Sequence, residues 1–436
     1  MKFEPMISRM LFNDIEDVYG YLEAIPKFQS EGNKAARFNL QKFRQFCDDI
    51  GGPHREGNYV HVAGTNGKGS TCRLLASVYQ KAGYKVGLYT SPHLEDFKER
   101  FVIDGCQITD QELASFFYGN ERQINQSDLT YFELSTAIAF WWFNKQDVDL
   151  AIIETGLGGR LDATNIITPM VSVITSIALD HTDLLGETIE EIAAEKAGII
   201  KQDTPVIIGH LERAAKNVID EIATDKNAEV FRSSELAPGF DSGIYSIKDG
   251  NEEITFSPGC ISPVQAYNIA MTWQVAKVLQ KRFPITSASL AEGINKSAEM
   301  YPNKGRFEKL NENYDWYFDG AHNIEAVRAM KAMVQTIKPV KDTILVLSIM
   351  EDKLSSEVGK EFSEFKKIFY HTTESNRAAS VDTVRQYLPD FSIMPVKKEL
   401  QQKLFEEFES ELVIFAGSFY FYSTVDRWVK AFATNR

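Results

Sequence analysis

The segment HVAGTNGKGS, residues 61–70, has the composition of a loop that binds phosphate groups. Its glycines, Gly64, Gly67 and Gly69, give a ligand close access to backbone N–H groups, and Lys68 adds a positive charge. The spacing departs from the common formula G-x-x-x-x-G-K-[ST] twice: an apolar residue replaces the first glycine, and a glycine separates the lysine from the hydroxyl residue. The alternative is a glycine-rich turn with a solvated lysine.

Polar side chains that suit a metal site follow three other apolar segments. Ser91 comes after KVGLYT, Glu154 ends DLAIIE, and Asp180 and His181 follow VSVITSIAL. A hydroxyl, a carboxylate and an imidazole beside a phosphate loop predict a Mg²⁺ site that water and substrate phosphates complete. Taken singly, each has an ordinary alternative: a turn hydroxyl before Pro92, a strand-end carboxylate bonded to N–H groups, and a histidine that hydrogen-bonds a loop.

The glycine loop is flanked by a predicted strand and a predicted helix. NYVHVAG is rich in β-branched residues and predicts a buried strand, while STCRLLASVYQKAG has helical spacing and ends at Gly83. The positive end of the helix dipole and its free N–H groups then point at the loop, where a phosphate is favoured. This context favours the phosphate loop over the plain turn.

Strand and helix patterns alternate along most of the chain. KVGLYTS, VDLAIIET, MVSVITSI and TPVIIG predict strands, and TYFELSTAIAFWWFNKQ and TIEEIAAEKAGIIK predict helices. A region of short polar strands at about 231–256 and a long helix at about 263–281 follow. WYFDGAHN, DTILVLSIM, KKIFYHTT and LVIFAGS then form a second series of strands.

These patterns predict an α/β fold with two domains. The first is an N-terminal P-loop ATPase-like domain with a parallel sheet, residues 1–298. The second is a smaller C-terminal Rossmann-like α/β domain, residues 299–436. We place the boundary at AEMYPNKG, which combines proline, asparagine and glycine.

Composition argues against several classes of protein. The 436 residues are 44% hydrophobic and 25% charged, which is typical of packed domains. A net charge of −14 disfavours nonspecific binding to nucleic acid or to an anionic membrane. The sequence has no membrane-length apolar run and no signal-peptide core, and its four cysteines lack metal or redox spacing. We expect a cytoplasmic monomer with reduced cysteines and no zinc.

Eight motifs resemble, in this order, those of one enzyme family. They are HVAGTNGKGS, YTSPHLEDFKERFVIDG, TYFELSTAIAFWWF, ETGLGGRLDATN, TSIALDHTDLLG, EKAGIIK, GRFE and DGAHN. The family is that of folylpolyglutamate synthase and the bifunctional dihydrofolate synthase, in the Mur ligase superfamily. The resemblance runs from YGYLEAIPKF to FAGSFYFYSTV, and the chain departs from the family's pattern at EGNKAARFNLQKF and at Lys304.

The resemblance implies an ATP-dependent ligase that adds L-glutamate to dihydropteroate and reduced folates through an acyl phosphate. Such chemistry needs positioning and charge neutralisation rather than a nucleophile from the protein. The alternatives are a monofunctional folylpolyglutamate synthase, another Mur-type amino-acid ligase, and a nucleotide-binding module without ligase activity. A peptidoglycan ligase would usually require an N-terminal domain, for which the roughly sixty residues before the loop leave no room.

The resemblance also implies which residues bind ATP and metal. The ATP contacts come from the glycine loop, the long helix, the hinge and the second domain: Asn66, Gly67, Lys68, Gly69, Asn268, Arg306 and Asp319, with His322 near them. The Mg²⁺ ligands are Ser91, Glu154 and His181. Lys196 in EKAGIIK matches a lysine that is carbamylated in the family, which turns a cation into an anion. The catalytic residues are then Lys68, Lys196 and His181.

The acceptor substrate is implied to lie beside two further motifs. The contacts are in TYFE and LDA: Thr130, Tyr131, Phe132, Glu133, Leu161, Asp162 and Ala163. Phe132 would stack on the pterin ring, with core packing as the alternative. Lys98 and Arg100, in SPHLEDFKER, are further positive groups for an anionic substrate.

Overall fold

The computed structural model describes residues 11–25, 40–259 and 263–434. The EGNKAARF segment and Cys260 lie outside the described residues. The described chain forms one sheet of eight strands, one of three and one of six.

The eight-stranded sheet belongs to the first half of the chain. Its strands are β1 Tyr59–Ala63, β2 Val86–Tyr89, β3 Phe101–Ile103, β4 Cys106–Gln107, β5 Leu150–Glu154, β6 Val171–Ile174, β7 Val206–Ile208 and β8 Val230–Arg232. Their order across the sheet is β4-β3-β2-β5-β1-β6-β7-β8. Only the β2–β3 and β3–β4 pairs are antiparallel. The five strands β1, β2, β5, β6 and β7 are buried along their whole length, as expected for a parallel sheet covered on both faces.

Helices pack around this sheet. They are α1 Ile15–Ala24, α2 Leu40–Asp49, α3 Lys68–Lys81, α4 Asp110–Gln126, α5 Tyr131–Lys145, α6 Thr182–Leu185, α7 Ile189–Ala197, α8 Arg213–Asp225, α9 Gln265–Leu279, α10 Ser287–Asn295 and α11 Ser297–Met300. The apolar cluster on one face joins α3 and α9 to the central strands, and the cluster on the other face joins α5 to the same strands. The helices predicted from TYFELSTAIAFWWFNKQ, TIEEIAAEKAGIIK and the segment 263–281 are confirmed.

The polar region at about 231–256 contains a small antiparallel sheet. Its strands are β9 Gly239–Asp241, β10 Ile244–Asp249 and β11 Glu252–Phe256. Its buried residues Tyr245, Ile247 and Phe256 join the same apolar cluster as α9, so the small sheet packs against that helix.

The six-stranded sheet belongs to the second half. Its strands are β12 Glu308–Lys309, β13 Trp316–Asp319, β14 Ile344–Leu347, β15 Lys367–Tyr370, β16 Ser392–Ile393 and β17 Val413–Ala416. The order is β12-β13-β17-β14-β15-β16, and only β12 is antiparallel to its neighbour. The helices are α12 Ile324–Ile337, α13 Ser356–Phe362, α14 Val381–Tyr387, α15 Lys398–Phe408 and α16 Tyr422–Thr434. The predicted fold class, a parallel-rich α/β sheet followed by a smaller α/β sheet, is confirmed.

The position of the domain boundary stays a prediction. The predicted division at 298/299 falls inside α11, whose Met300 sulfur accepts a hydrogen bond from Ser77 on α3 at 3.4 Å. The six-stranded sheet begins at Glu308. The chain therefore passes between the two halves through residues 301–307.

Two further predictions, on the state of the cysteines and on membrane-spanning segments, can be compared with the described residues. Cys47, Cys72 and Cys106 are free thiols. None of the helices in the described ranges combines the length and the apolar character that crossing a bilayer requires.

Candidate active site

A cavity of about 310 Å³ lies between the carboxyl ends of the two large sheets. From the first half it is lined by the loops that follow β1, β2, β5 and β6, and from the second half by the loops that follow β13, β14, β15 and β17. Ligands of open α/β sheets bind beyond the carboxyl ends of the strands. Here two such ends face each other across one cavity.

The glycine loop leaves β1 and enters α3 in the predicted manner. A Cβ at Gly64 would collide with Thr175 Oγ1, and Gly67 has φ of 84°, so both positions require glycine. The α3 helix begins at Lys68, and its first two residues line the cavity, where the free N–H groups of a helix start favour a phosphate. Lys68 Nζ donates to the carbonyl oxygens of Gly64 at 2.9 Å and Thr65 at 3.3 Å. The loop thus holds its lysine folded back, within reach of an incoming phosphate.

Glu154 ends β5 next to this loop, because β5 pairs in register with β1. The carboxylate is only 4% exposed, and Oε2 accepts a hydrogen bond from the backbone N–H of Ser91 at 3.1 Å. Burial raises the pKa of Glu154, although the positive charges of Lys68 and Arg73 oppose this. A buried carboxylate beside a phosphate-binding loop suits a bound metal ion.

His181 enters the same cavity from the end of the loop after β6. Its φ is 49°, a left-handed conformation that is uncommon for a side chain with a Cβ. Burial, together with the positive charge of Lys353, lowers the pKa of His181 to about 3. The imidazole is therefore neutral at physiological pH, as a metal ligand must be.

The three predicted metal ligands, Ser91, Glu154 and His181, line one cavity. Within the residues described, no three side chains of His, Cys, Asp or Glu cluster closely enough to hold a metal by themselves. The donor set of a hydroxyl, a carboxylate and an imidazole fits a Mg²⁺ ion that takes its other ligands from water and phosphate oxygens.

Lys196 lies beneath the glycine loop. It is 3% exposed, and its Nζ donates to the Gly64 carbonyl oxygen at 3.0 Å. Burial and the neighbouring charge of Lys68 lower the pKa of Lys196 to about 7. Near neutral pH a large fraction of this amine is unprotonated, which is the form that reacts with CO₂.

Two of the predicted nucleotide contacts are Arg306 and Asp319. Arg306 lines the cavity, with its Cζ 4.4 Å from the centre of the Phe419 ring. Asp319 accepts from the N–H of Phe307 at 2.9 Å and of Ala321 at 2.8 Å, and removal from water raises its pKa to about 6. Asp319 therefore fixes the backbone of the connecting residues 301–307 beside Arg306.

Asn268 lies behind the glycine loop. Its Oδ1 accepts a hydrogen bond from Thr71 at 3.2 Å and would be 3.0 Å from a Cβ at Gly67. This contact supports the loop from the side of α9.

The two halves of the chain meet directly at the cavity. The amides of Asn66 and Asn323 exchange hydrogen bonds of 3.3 and 3.2 Å. Asp180 accepts from Asn323 at 3.2 Å and pairs with Lys353, and its nearest His322 nitrogen is 3.8 Å away. Burial opposes ionisation of Asp180, but the nearby His322 imidazole and the charge of Lys353 hold its pKa well below the usual value.

The predicted acceptor residues line the cavity, but several of them already have partners in the protein. Thr130 and Glu133 form the reciprocal capping box at the start of α5. The Asp162 carboxylate accepts four hydrogen bonds from its own loop. The Phe132 ring packs so closely on Gly156 that a Cβ there would overlap it.

The two predicted positive groups of SPHLEDFKER separate. Lys98 pairs with Asp110 at 2.8 Å on the surface. Arg100 lines the cavity, is 4% exposed, and donates from Nε to His93 Nδ1 at 2.9 Å. Its buried Nη1 has no hydrogen-bond partner among the described residues, so Arg100 has the greater capacity to bind an anion.

Sequence reasoning missed cavity residues of the second half. They are Lys353, Arg377, Ser418 and Tyr420. Each follows a strand of the six-stranded sheet, so the rule that located Ser91 and Glu154 would also have indicated them.

Profiles of two protein domains match the chain on either side of the cavity. The Mur ligase middle domain matches residues 62–270, and the glutamate ligase domain of Mur ligases matches residues 305–419. The folylpolyglutamate synthase of Lacticaseibacillus casei is 30% identical over 427 aligned positions, which cover 94% of this chain and 97% of that protein. The dihydrofolate synthase/folylpolyglutamate synthase of Bacillus subtilis is 32% identical over 455 positions, covering 96% and 100%. Escherichia coli FolC, solved with DHPP and ADP, has a TM-score of 0.81 at 27% identity, covering 96% of this chain and 98% of that one.

Proposed function

Because the chain belongs to the folylpolyglutamate and dihydrofolate synthase family of Mur ligases, we propose that it adds L-glutamate both to dihydropteroate and to reduced folates. It is an ATP-dependent ligase that forms an amide bond. The observation that carries the proposal is the single cavity in which the glycine loop, Glu154 and the cations of the second half face one another.

The reaction has two steps. An oxygen of the acceptor carboxylate attacks the γ-phosphorus of ATP, the bond to the bridging oxygen breaks, and ADP leaves an acyl phosphate behind. The amine of L-glutamate then attacks the acyl carbon, phosphate leaves, and the amine loses a proton. Negative charge develops on phosphate oxygens in the first step, so Lys68, Arg306 and the start of α3 would stabilise it.

Ser91, Glu154 and His181 would hold Mg²⁺, which supplies positive charge to the phosphate oxygens. What the protein itself contributes is position. Glu154 is fixed by the Ser91 N–H, and His181 stays neutral because it is buried beside Lys353.

Lys353 and Arg377 are the proposed contacts for the carboxylates of L-glutamate. They follow β14 and β15, opposite the glycine loop, in a protein of net charge −14. Lys353 is neutralised by Asp180, and Arg377 Nη2 contacts both oxygens of Asp352 at 2.9 and 2.8 Å. A carboxylate of the incoming amino acid would replace Asp180 as the partner of Lys353.

Lys353→Met is expected to raise the KM for L-glutamate by roughly 10- to 10²-fold, the effect of losing one hydrogen bond to a charged group. The KM for ATP should change less than the KM for L-glutamate, since among the described residues Lys353 contacts the ATP side of the cavity only through Asp180. Steady-state kinetics with each substrate varied in turn measure both values. Lys360→Met, on the exposed face of α13, is the matched control. An equal rise in the KM of all three substrates would refute the assignment.

The assay that tests the proposed function supplies ATP, Mg²⁺ and L-glutamate with either dihydropteroate or tetrahydrofolate. We expect phosphate release and a product one glutamyl residue heavier with each acceptor, since both present a carboxylate to the same ATP site. The pairing of TYFE with GLGGRLDATN resembles the bifunctional bacterial enzymes. Activity with tetrahydrofolate alone would identify a monofunctional folylpolyglutamate synthase, and activity with neither would favour another Mur-type ligase.

We further propose that the enzyme acts as a monomer in the cytoplasm. Every group assigned above comes from one chain, so the cavity needs no second copy. Light scattering coupled to size-exclusion chromatography should give the mass of one chain, 49.3 kDa.

A further inference from the structure

His61 is a fully buried histidine in the middle of β1, three residues before Gly64. Its Nε2 lies 2.8 Å from Thr164 Oγ1, in the short helix Ala163–Ile166 that follows the LDA motif. No role in the reaction has been assigned to it above. Its only hydrogen bond among the described residues leads toward the acceptor side of the cavity.

The direction of this hydrogen bond follows from the next contact. The Thr164 hydroxyl donates its single hydrogen to Asp162 Oδ1, so toward His61 it can only accept. His61 must then carry its hydrogen on Nε2, and Nδ1 keeps a lone pair. The buried Nδ1 has no partner in the described chain, which agrees with this tautomer. Burial, with the charge of Lys201 nearby, lowers the pKa of His61 to about 3, so the ring stays neutral.

Asp162 connects Thr164 to the loop after β5 through hydrogen bonds. Oδ1 also accepts from the Thr164 N–H at 3.0 Å, and Oδ2 accepts from the N–H groups of Gly156 at 2.9 Å and Leu157 at 2.8 Å. With four donors, the carboxylate has little capacity left for a ligand. Its function is to hold the two ends of the segment 156–164 together.

Gly156 in turn sets the position of Phe132. A Cβ at Gly156 would overlap the Phe132 ring, so the ring lies directly on the backbone at that position. Both residues line the cavity. A shift of the loop would therefore move the Phe132 ring, which forms the wall of the cavity on the acceptor side.

We infer that His61 is a positioning residue of the acceptor site: through Thr164 and Asp162 it fixes Gly156 and thereby the Phe132 wall against which a flat heteroaromatic ring binds. The inference rests on the proposed function, because it takes the acceptor to be pterin-like.

Two pairs of variants test the chain of hydrogen bonds. A glutamine side chain in place of His61 can present an amide N–H close to the position of Nε2, whereas an asparagine is too short. His61→Gln should therefore keep the acceptor KM within about threefold, and His61→Asn should raise it about tenfold. Thr164→Ser should behave like the first and Thr164→Val like the second. In all four, the KM for ATP should change less than about threefold, whereas a general loss of folding would lower kcat and leave both KM values unchanged.

Nuclear magnetic resonance of the wild-type enzyme supplies a readout that needs no activity. With ¹⁵N-labelled histidine, the signal that disappears in His61→Gln should show the neutral Nε2–H tautomer and no titration between pH 5 and 8. An Nδ1–H tautomer, a titrating ring, or equal changes in the KM of ATP and acceptor would overturn the inference. Inactivity of the wild type with both acceptors would instead reject the proposed function and leave the tautomer result standing.

Discussion

Replacing Lys196 with alanine is expected to lower ligase turnover by at least about 10²-fold, the scale of losing a charged group that stabilises phosphoryl transfer. Lys196 contacts the Gly64 carbonyl at the base of the ATP loop and is almost completely buried. We propose that its amine adds CO₂, with formation of an N–C bond and release of a proton. A buried cation would thereby become an anion beside the phosphates.

The pH dependence provides a direct test of this modification. Because the pKa of Lys196 is lowered to about 7, the neutral amine that reacts with CO₂ becomes the major form as pH rises above 7. Enzyme depleted of CO₂ should therefore regain more activity from bicarbonate at pH 8 than at pH 6. Gentle mass spectrometry should show an added mass of one CO₂ on the peptide that contains Lys196.

Variants separate the modification from a plain lysine. Bicarbonate should not restore Lys196→Ala, whereas a short carboxylic acid should restore part of its turnover by occupying the vacated position. Lys201→Ala is the matched control, since burial also lowers the pKa of Lys201, to about 8, but its Nζ donates to Asn165. Full activity in CO₂-free buffer, or a free ammonium group in the ATP-bound state, would contradict the proposal.

Glu154→Ala and His181→Ala are each expected to reduce turnover by at least about 10²-fold, because each removes a group that holds positive charge against the phosphates. The concentration of Mg²⁺ that gives half-maximal rate should rise in both. Binding of Mn²⁺ in the presence of ADP, followed by electron paramagnetic resonance, should weaken in parallel. Glu190→Ala, an exposed carboxylate on α7, is the control.

Thermal unfolding distinguishes a ligand from a structural carboxylate. Burial raises the pKa of Glu154 in the folded protein. At a pH above the ordinary pKa of glutamate, the ionised carboxylate therefore lowers the free energy of unfolding. Glu154→Gln should then keep or raise the Tm at pH 7 while turnover falls. A lower Tm with near-normal turnover would make Glu154 a structural residue and reject it as a metal ligand.

Much of the fold could be predicted from the local sequence. Each predicted strand contains an observed one, because four or five consecutive apolar residues between turn signals have few other stable arrangements in a covered sheet. The ligase class, predicted from the resemblance, is confirmed by the domain profiles and the relatives. The individual roles of Ser91, Glu154, His181 and Lys196 stay predictions, although the structure brings all four to one cavity.

The sequence by itself determined the alternation of strands and helices and the glycine loop, since both depend on residues that are neighbours in the chain. Only the tertiary structure decided what surrounds each polar group. Lys196 looks like an exposed helical lysine in the sequence, but packing under Gly64 removes it from water and lowers its pKa to about 7. Asp162 looks like a ligand group, but four N–H and O–H donors of its own loop occupy it. Burial and hydrogen bonding depend on chain segments that are far apart in sequence, and no local pattern specifies them.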